Sequence, residues 1–179
     1  GRFADAKKQA ENVLDIDVLN FNAMNELYLI ELADGSKSKA GKMLDELKES
    51  MRDEEQSYLE LCIDYANCGS YVEAVDILSR IDATKNSSGN MYPIIYYYLG
   101  YYNQKLGNIN EANKYYNYAT KLSADYSFPF RLETMDALNA ALLSDSDDGR
   151  THYYLGDLLY DKQPDKAIEH WEKAIELGE

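Results

Sequence analysis

Along most of this chain apolar residues recur three and four positions apart, the spacing that lays one buried stripe along a helix. Tyr58, Leu61, Cys62 and Tyr65 form such a stripe, and Ala112, Tyr116 and Ala119 form another. The pattern breaks at Asp34-Gly35-Ser36, at Asn67-Cys68-Gly69-Ser70, from Lys85 to Asn90, and at Leu106-Gly107-Asn108. Further breaks fall at Ser127-Phe128-Pro129, from Ser144 to Gly149, and at Gln163-Pro164. Between them the spacing predicts about ten helices of roughly 10–17 residues, an ordinary range. The period-two alternation of a strand is missing. The expected class is all-α.

The helices repeat. Gly35 to Gly69, Ala40 to Ala74 and Met24 to Tyr58 are each 34 residues apart. The next offset is 38, shared by Gly69 to Gly107, Ala74 to Ala112 and Tyr58 to Tyr96. The longer unit places its surplus in the polar loop around Lys85-Asn86-Ser87-Ser88-Gly89. One offset held by three different landmarks is the mark of a helix-pair solenoid. Each landmark has a physical task. The glycine ends a first helix where a left-handed residue costs least. The alanine lets the second helix approach the first closely, and the large residue opening each unit fills the space between neighbouring pairs. A bulky residue follows each alanine by one helical turn: Leu44, Leu78, Tyr116 and Trp171.

These residues resemble the tetratricopeptide repeat. The best matches are Tyr96, Leu99-Gly100, Gly107, Ala112, Tyr116 and Ala119 in one unit, and Leu155-Gly156, Ala167, Trp171 and Ala174 in the last. The earlier units depart at the last small position, where Leu47 and Ile81 stand, and Gln163-Pro164 replaces the glycine region of the final turn. The resemblance implies an α-α superhelix, a right-handed solenoid of antiparallel helix pairs. Its expected divisions are an unpaired leading helix (3–17), three repeats (21–54, 55–92 and 93–126), an irregular half repeat (127–148) and a fourth repeat (149–179). Within the half repeat a lone second helix is expected from Phe130 to Leu143.

A narrower resemblance rests on Phe128-Pro129-Phe130-Arg131-Leu132-Glu133 and on the stretch from His152 to Asp161. It is similar to repeat tails of large bacterial proteins whose N-terminal regions resemble carbohydrate-active enzymes. That likeness implies an excised tail, with catalysis in another part of the parent chain. Ends that stop without polar capping helices agree with this, and they leave room for a homo-oligomer.

Charge and composition narrow the partners. Lys and Arg number 18 against 32 Asp and Glu, a net charge of −14, which disfavours nucleic acid and anionic membrane surfaces. Apolar runs are too short for a membrane span. No leader opens the chain, Gly1 reads as a remnant of tag removal, and the expected location is cytoplasmic. Cys62 and Cys68 have no metal-knuckle spacing and read as one buried and one partly exposed thiol. Asn86-Ser87-Ser88 matches a glycosylation acceptor, which the missing secretory signal discounts.

Hidden chemistry is sparse. His152 and His170 read as one packed and one surface histidine, without the cluster a metal or a general base requires. Asp145-Ser146-Asp147-Asp148-Gly149 has its glycine one place early for a calcium loop and reads as a turn whose carboxylates cap the next helix. Phosphate-binding glycine loops are absent. No catalytic residue, metal or cofactor is assigned, and a hydrolase using Asp157 and Asp161 ranks last.

The superhelix resemblance places recognition on the first helices: Asn22, Asn25 and Leu29, then Leu59 and Ile63, then Tyr97, Tyr101 and Gln104, and finally Arg150, Tyr153, Asp157 and Tyr160. Of 17 tyrosines, ten fall between residues 91 and 126, where Glu111 and Asp125 are the only acids. Tyrosine and asparagine give stiff contact area with hydrogen-bonding tips, suited to a peptide or a sugar. Chaperone-tail binding is disfavoured, because Arg150 is the one basic residue at the positions such binders use. The expectation is a non-catalytic scaffold for a protein, a peptide or a domain of its own parent chain. The alternative is an accessory or oligomerisation tail of a glycosidase-like protein.

Overall fold

The structure, a computed structural model, describes residues 2–81 and 91–179. The polar stretch from Lys85 to Gly89, with its Asn86-Ser87-Ser88 sequence, lies outside the described residues. The rest forms ten helices and, among the described residues, no strand. They are α1 (Arg2–Leu14), α2 (Phe21–Ala33), α3 (Lys37–Met51), α4 (Glu55–Asn67), α5 (Tyr71–Ser79), α6 (Ile94–Lys105), α7 (Ile109–Ala119), α8 (Thr134–Ser144), α9 (Gly149–Leu159) and α10 (Pro164–Glu176). No described helix is long and apolar enough to cross a membrane.

The periodic glycines make one turn three times. Gly35, Gly69 and Gly107 have φ of 81°, 79° and 81°, a left-handed conformation that costs a residue with a Cβ more than it costs glycine. After each, the next backbone N–H returns to a carbonyl five residues back: Ser36 to Glu31, Ser70 to Tyr65, and Asn108 to Asn103. Together with the bond from each glycine N–H to the carbonyl three residues earlier, this closes α2, α4 and α6 with the same double-bonded C-cap. The alanines that follow, Ala40, Ala74 and Ala112, are buried. The turn between α9 and α10 differs. Pro164 opens α10, where its missing N–H costs nothing.

The chain divides into two compact units, Gly1–Leu61 and Cys62–Glu179, with the boundary inside α4. In the first, α2 packs against both α1 and α3. Ala10, Ala23 and Leu27 form one buried cluster in it, with Leu14 and Met43 against them. The buried Glu31 of α2 accepts from Lys7 of α1 and Lys39 of α3, each at 2.6 Å. One carboxylate thus ties three helices. The two lysines hold it below the usual carboxyl range, Lys39 contributing more than Lys7.

In the second unit α6 packs against α5, α7 and α8, and α9 packs against α8 and α10. Two glycines set the close approaches. A Cβ at Gly100 would overlap the Tyr116 ring of α7, and one at Gly156 would overlap the Trp171 ring of α10. The aromatic of each second helix therefore lies in the gap its glycine leaves. The core around them is unusually phenolic, with Tyr97, Tyr98, Tyr102 and Tyr154 all buried.

The half repeat departs from its expected form. The helix starts at Thr134 rather than Phe130, and the chain enters it through turns from Arg131 and Leu132. It was expected as a second helix, yet it packs on α6, the first helix of the preceding pair. Tyr98 and Thr134 share a hydrogen bond of 3.0 Å across that contact. Asp148 ends the segment as the N-cap of α9, accepting from the Thr151 N–H at 3.0 Å.

Candidate functional site

The twelve side chains expected to meet a ligand divide by burial. Asn25, Leu59, Ile63 and Tyr97 are drawn into the interior, at 0, 1, 6 and 0% exposure. Tyr97 shows why. Its phenol reaches the Asp148 carboxylate at 3.4 Å, and its ring meets Tyr116 and, edge-on, Tyr154. Desolvation, with the Asp148 charge second, pushes its hydroxyl well above the ordinary phenol range. Tyr97 is a packing residue that joins α6 to the cap of α9.

The others remain at least partly exposed. In the first unit Asn22 is exposed and Leu29 half-buried. In the second unit Arg150 is engaged, donating to Glu179 at 2.6 Å and to the Leu122 carbonyl at 2.7 Å. Gln104 accepts from the Tyr116 hydroxyl at 3.0 Å. Asp157 accepts from the Trp171 indole at 3.2 Å, and burial raises its carboxyl. Tyr160 is exposed beside Trp171, and Tyr153 lies half-buried against Tyr154. Tyr101 stands half-exposed against the buried Tyr102.

Tyr101 opens onto a cavity of about 70 Å³ within the second unit, formed where α4, α5, α6 and the start of α8 converge. Ile63 and Ala66 line it from α4, Tyr71 from α5, Tyr98, Tyr101 and Tyr102 from α6, and Glu133 and Asp136 from the α8 entry. Behind it, burial raises the Tyr98 and Tyr102 hydroxyls far above their ordinary range. These phenols stay protonated as fixed hydrogen-bonding groups. The Tyr102 hydroxyl lies 3.9 Å from the Cys62 thiol, itself buried and raised by desolvation, while Cys68 is exposed. A larger and very open depression of about 840 Å³ sits in the first unit, between Leu19 and the C-terminal end of α3. It has no aromatic wall, and its shape offers little to grip.

Sequence reasoning missed Tyr71, Glu133 and Asp136 at this cavity, and Lys105 over the Tyr101 ring beside it. Lys105 carried a usable signal, since it follows Tyr101 by one helical turn on the same face. Glu133 and Asp136 carried none, because nothing local says that α8 returns to α6. Also unforeseen is the exposure of Tyr126, Phe128, Phe130 and Leu132, at 91, 62, 64 and 74%. So long an apolar run on a surface is uncommon outside contact regions.

The histidines are paired rather than separate. His152 Nδ1 and His170 Nδ1 lie 2.8 Å apart, joining α9 to α10. Burial, then the neighbouring His152, lowers the pKa of His170. Among the described residues no group of three or more His, Cys, Asp or Glu is placed to hold a metal ion.

No family model matches the chain, and no curated protein matches it. Among solved structures it is similar to YrrB, a TPR protein with an unusual peptide-binding site, at 18% identity over 94% of this chain and 92% of that one, TM-score 0.35. It is also similar to MamA AMB-1, at 21% identity over 99% of this chain and 90% of that one, TM-score 0.31. Likenesses this loose map no site from one protein to another, and the helix pairs stand on their own geometry. On that geometry the described residues are all-α, built of helix pairs in which Gly100–Tyr116 and Gly156–Trp171 are the interlocks.

Proposed function

We propose that the chain is a non-catalytic interaction module that binds a peptide or an extended protein segment across the tyrosine face of its second unit. One observation carries this reading. Tyr71 and Tyr101 line the mouth of a small cavity, and the layer behind them, Tyr98 and Tyr102, is buried and already hydrogen-bonded. Aromatic anchors held this way lose little conformational freedom on binding, which is how small interfaces reach useful affinity. Tyr153, Asp157 and Tyr160 extend the same chemistry onto α9 and its end. Selection from a displayed random peptide library tests the reading. Enriched peptides should bind the wild-type chain and lose roughly tenfold or more against Tyr71→Ala with Tyr101→Ala, the penalty of a hot-spot pair. Peptides indifferent to both substitutions would move the site elsewhere.

A second reading draws support from the exposed Tyr126–Leu132 segment. As an accessory or oligomerisation tail of a glycosidase-like protein, the chain would cover this run with another domain or a second copy. Sedimentation with Phe128→Ser and Phe130→Ser distinguishes the copy version. A wild-type chain that is monomeric at high concentration removes it.

A further inference from the structure

The cavity at Tyr101 has a charge preference that its tyrosines alone do not give it. Its volume of about 70 Å³ lies far below the roughly 300–1,000 Å³ of small-molecule sites. It has room for the head of one side chain. Aromatic walls from Tyr71 and Tyr101 stand beside the carboxylates of Glu133 and Asp136. Ring faces and carboxylates attract the same species, a cation, the first through the quadrupole and the second through charge. An anionic head would meet two carboxylates and gain nothing from the rings.

The protein already brings a cation of its own to this place. Lys105 Nζ lies 5.1 Å from the centroid of the Tyr101 ring. Tyr101 raises its pKa most, with smaller contributions from Tyr71 and Asp136. The ammonium therefore sits over a ring that lines the cavity, beside the cavity itself. Lys105 is nonetheless an exposed residue in the last turn of α6, on a flexible stem that swings away at little cost.

We propose that this notch is the subsite for a lysine or arginine side chain of a basic segment in a protein partner, and that Lys105 stands in for it in the unbound chain. The inference rests on the reading of the chain as a peptide-binding module and adds the charge of what is bound. The net charge of −14 favours the approach of such a segment over long range. The tyrosines and the two acids then select one residue of it.

Three labelled peptides test this, sharing one Gly/Leu frame and carrying arginine, glutamine or glutamate at alternate positions. Fluorescence anisotropy should show the arginine peptide binding best. Glu133→Gln with Asp136→Asn should weaken it about tenfold, the combined value of two partly exposed ion pairs. Lys105→Gln should strengthen it severalfold by removing the competitor. Glu46→Gln with Glu49→Gln removes the same charge from α3 and should change affinity little. Arginine-peptide binding equally sensitive to both acidic pairs reflects net charge alone and overturns the notch. Tyr101-dependent binding of the glutamine or glutamate peptide, at equal or better affinity, overturns the cation and leaves the peptide-binding module standing. Silence of all three peptides overturns the subsite as drawn, while the library selection decides separately whether any peptide binds.

Discussion

Helices α2 and α6 end in the same glycine turn and are followed by the same buried alanine, yet they are fastened differently. Glu31 ties α2 to its neighbours by charge, through lysines on both flanking helices. Fit ties α6 instead: Gly100 leaves the space that the Tyr116 ring fills. Stepping back by the repeat offsets from Gly100 leads to Cys62 and then Tyr28, and from Tyr116 to Leu78 and then Leu44. The repeat thus trades volume between two positions. Where the first helix carries glycine the second carries an aromatic ring, and where the first carries a larger residue the second carries leucine. Gly100 with Tyr116 and Cys62 with Leu78 divide a similar volume in different ways, whereas Tyr28 and Leu44 are both large and only partly buried.

The largest effect should come from breaking that division in the second unit. Gly100→Ala places a methyl group inside the Tyr116 ring, and overpacking of a tight core costs roughly 1–3 kcal/mol. Urea unfolding should register this as a lower midpoint with an unchanged slope. The sharper form adds Tyr116→Leu, which gives a small residue opposite leucine, close to the Cys62 and Leu78 combination. Much of the lost stability should then return, although Gln104 loses its phenol partner. If the double variant is as unstable as the sum of the singles, the two positions do not share a volume and the comparison fails.

The first unit should respond to charge instead. Glu31 has a folded pKa held below its unfolded value near ~4.3 by Lys39 and Lys7. Its contribution is therefore complete above the unfolded value and is lost as pH falls through the folded one. Hydrogen exchange should show α1 and α2 opening before α6 and α7 on acidification below that range. Added salt should loosen the first unit as well, though less, because the carboxylate is buried while both lysines reach solvent. Glu31→Gln should abolish the early acid opening and weaken the unit at neutral pH. Equal acid sensitivity of α2 and α6 would show that the ion pairs do not set the difference.

The fold was legible because its signals are local. A left-handed glycine, a small residue and a three-four apolar stripe are each written within a few positions, and the described residues form the expected ten helices, with only α8 starting well inside its expected span. Helix contacts that cross an irregular insert were not legible. Residues 91–126 look nearly neutral as a window of sequence, yet two acids stand beside their tyrosines, because α8 returns to α6 and brings Glu133 and Asp136 to the cavity. Tyr97 and Tyr101 look alike in sequence, one helical turn apart. The first is buried because α9 and its cap close over it, and the second stays open. Sequence periodicity places a residue on a helix face, and the helix across from that face decides what it meets.

The last pair of helices combines both kinds of fastening, and there the expected effect is smallest. Gly156 and Trp171 supply the fit, while His170, in contact with His152, supplies a titrating group. Within that contact one Nδ1–H donates to the other ring's Nδ1 at 2.8 Å. Burial and the facing His152 lower the pKa of His170, outweighing the opposite pull of Glu169. The unfolded chain then binds the proton more readily than the folded one. Stability is therefore complete above the ordinary histidine value of ~6.5 and falls as pH drops through the lower folded value. Melting followed by Trp171 emission should fall by only a few degrees across that window, because the glycine–indole fit does not titrate. His170→Gln should flatten the dependence and leave the high-pH melting temperature nearly unchanged. A pH dependence that survives His170→Gln would place the titrating group elsewhere and leave fit as the only fastening shared by both interlocked pairs.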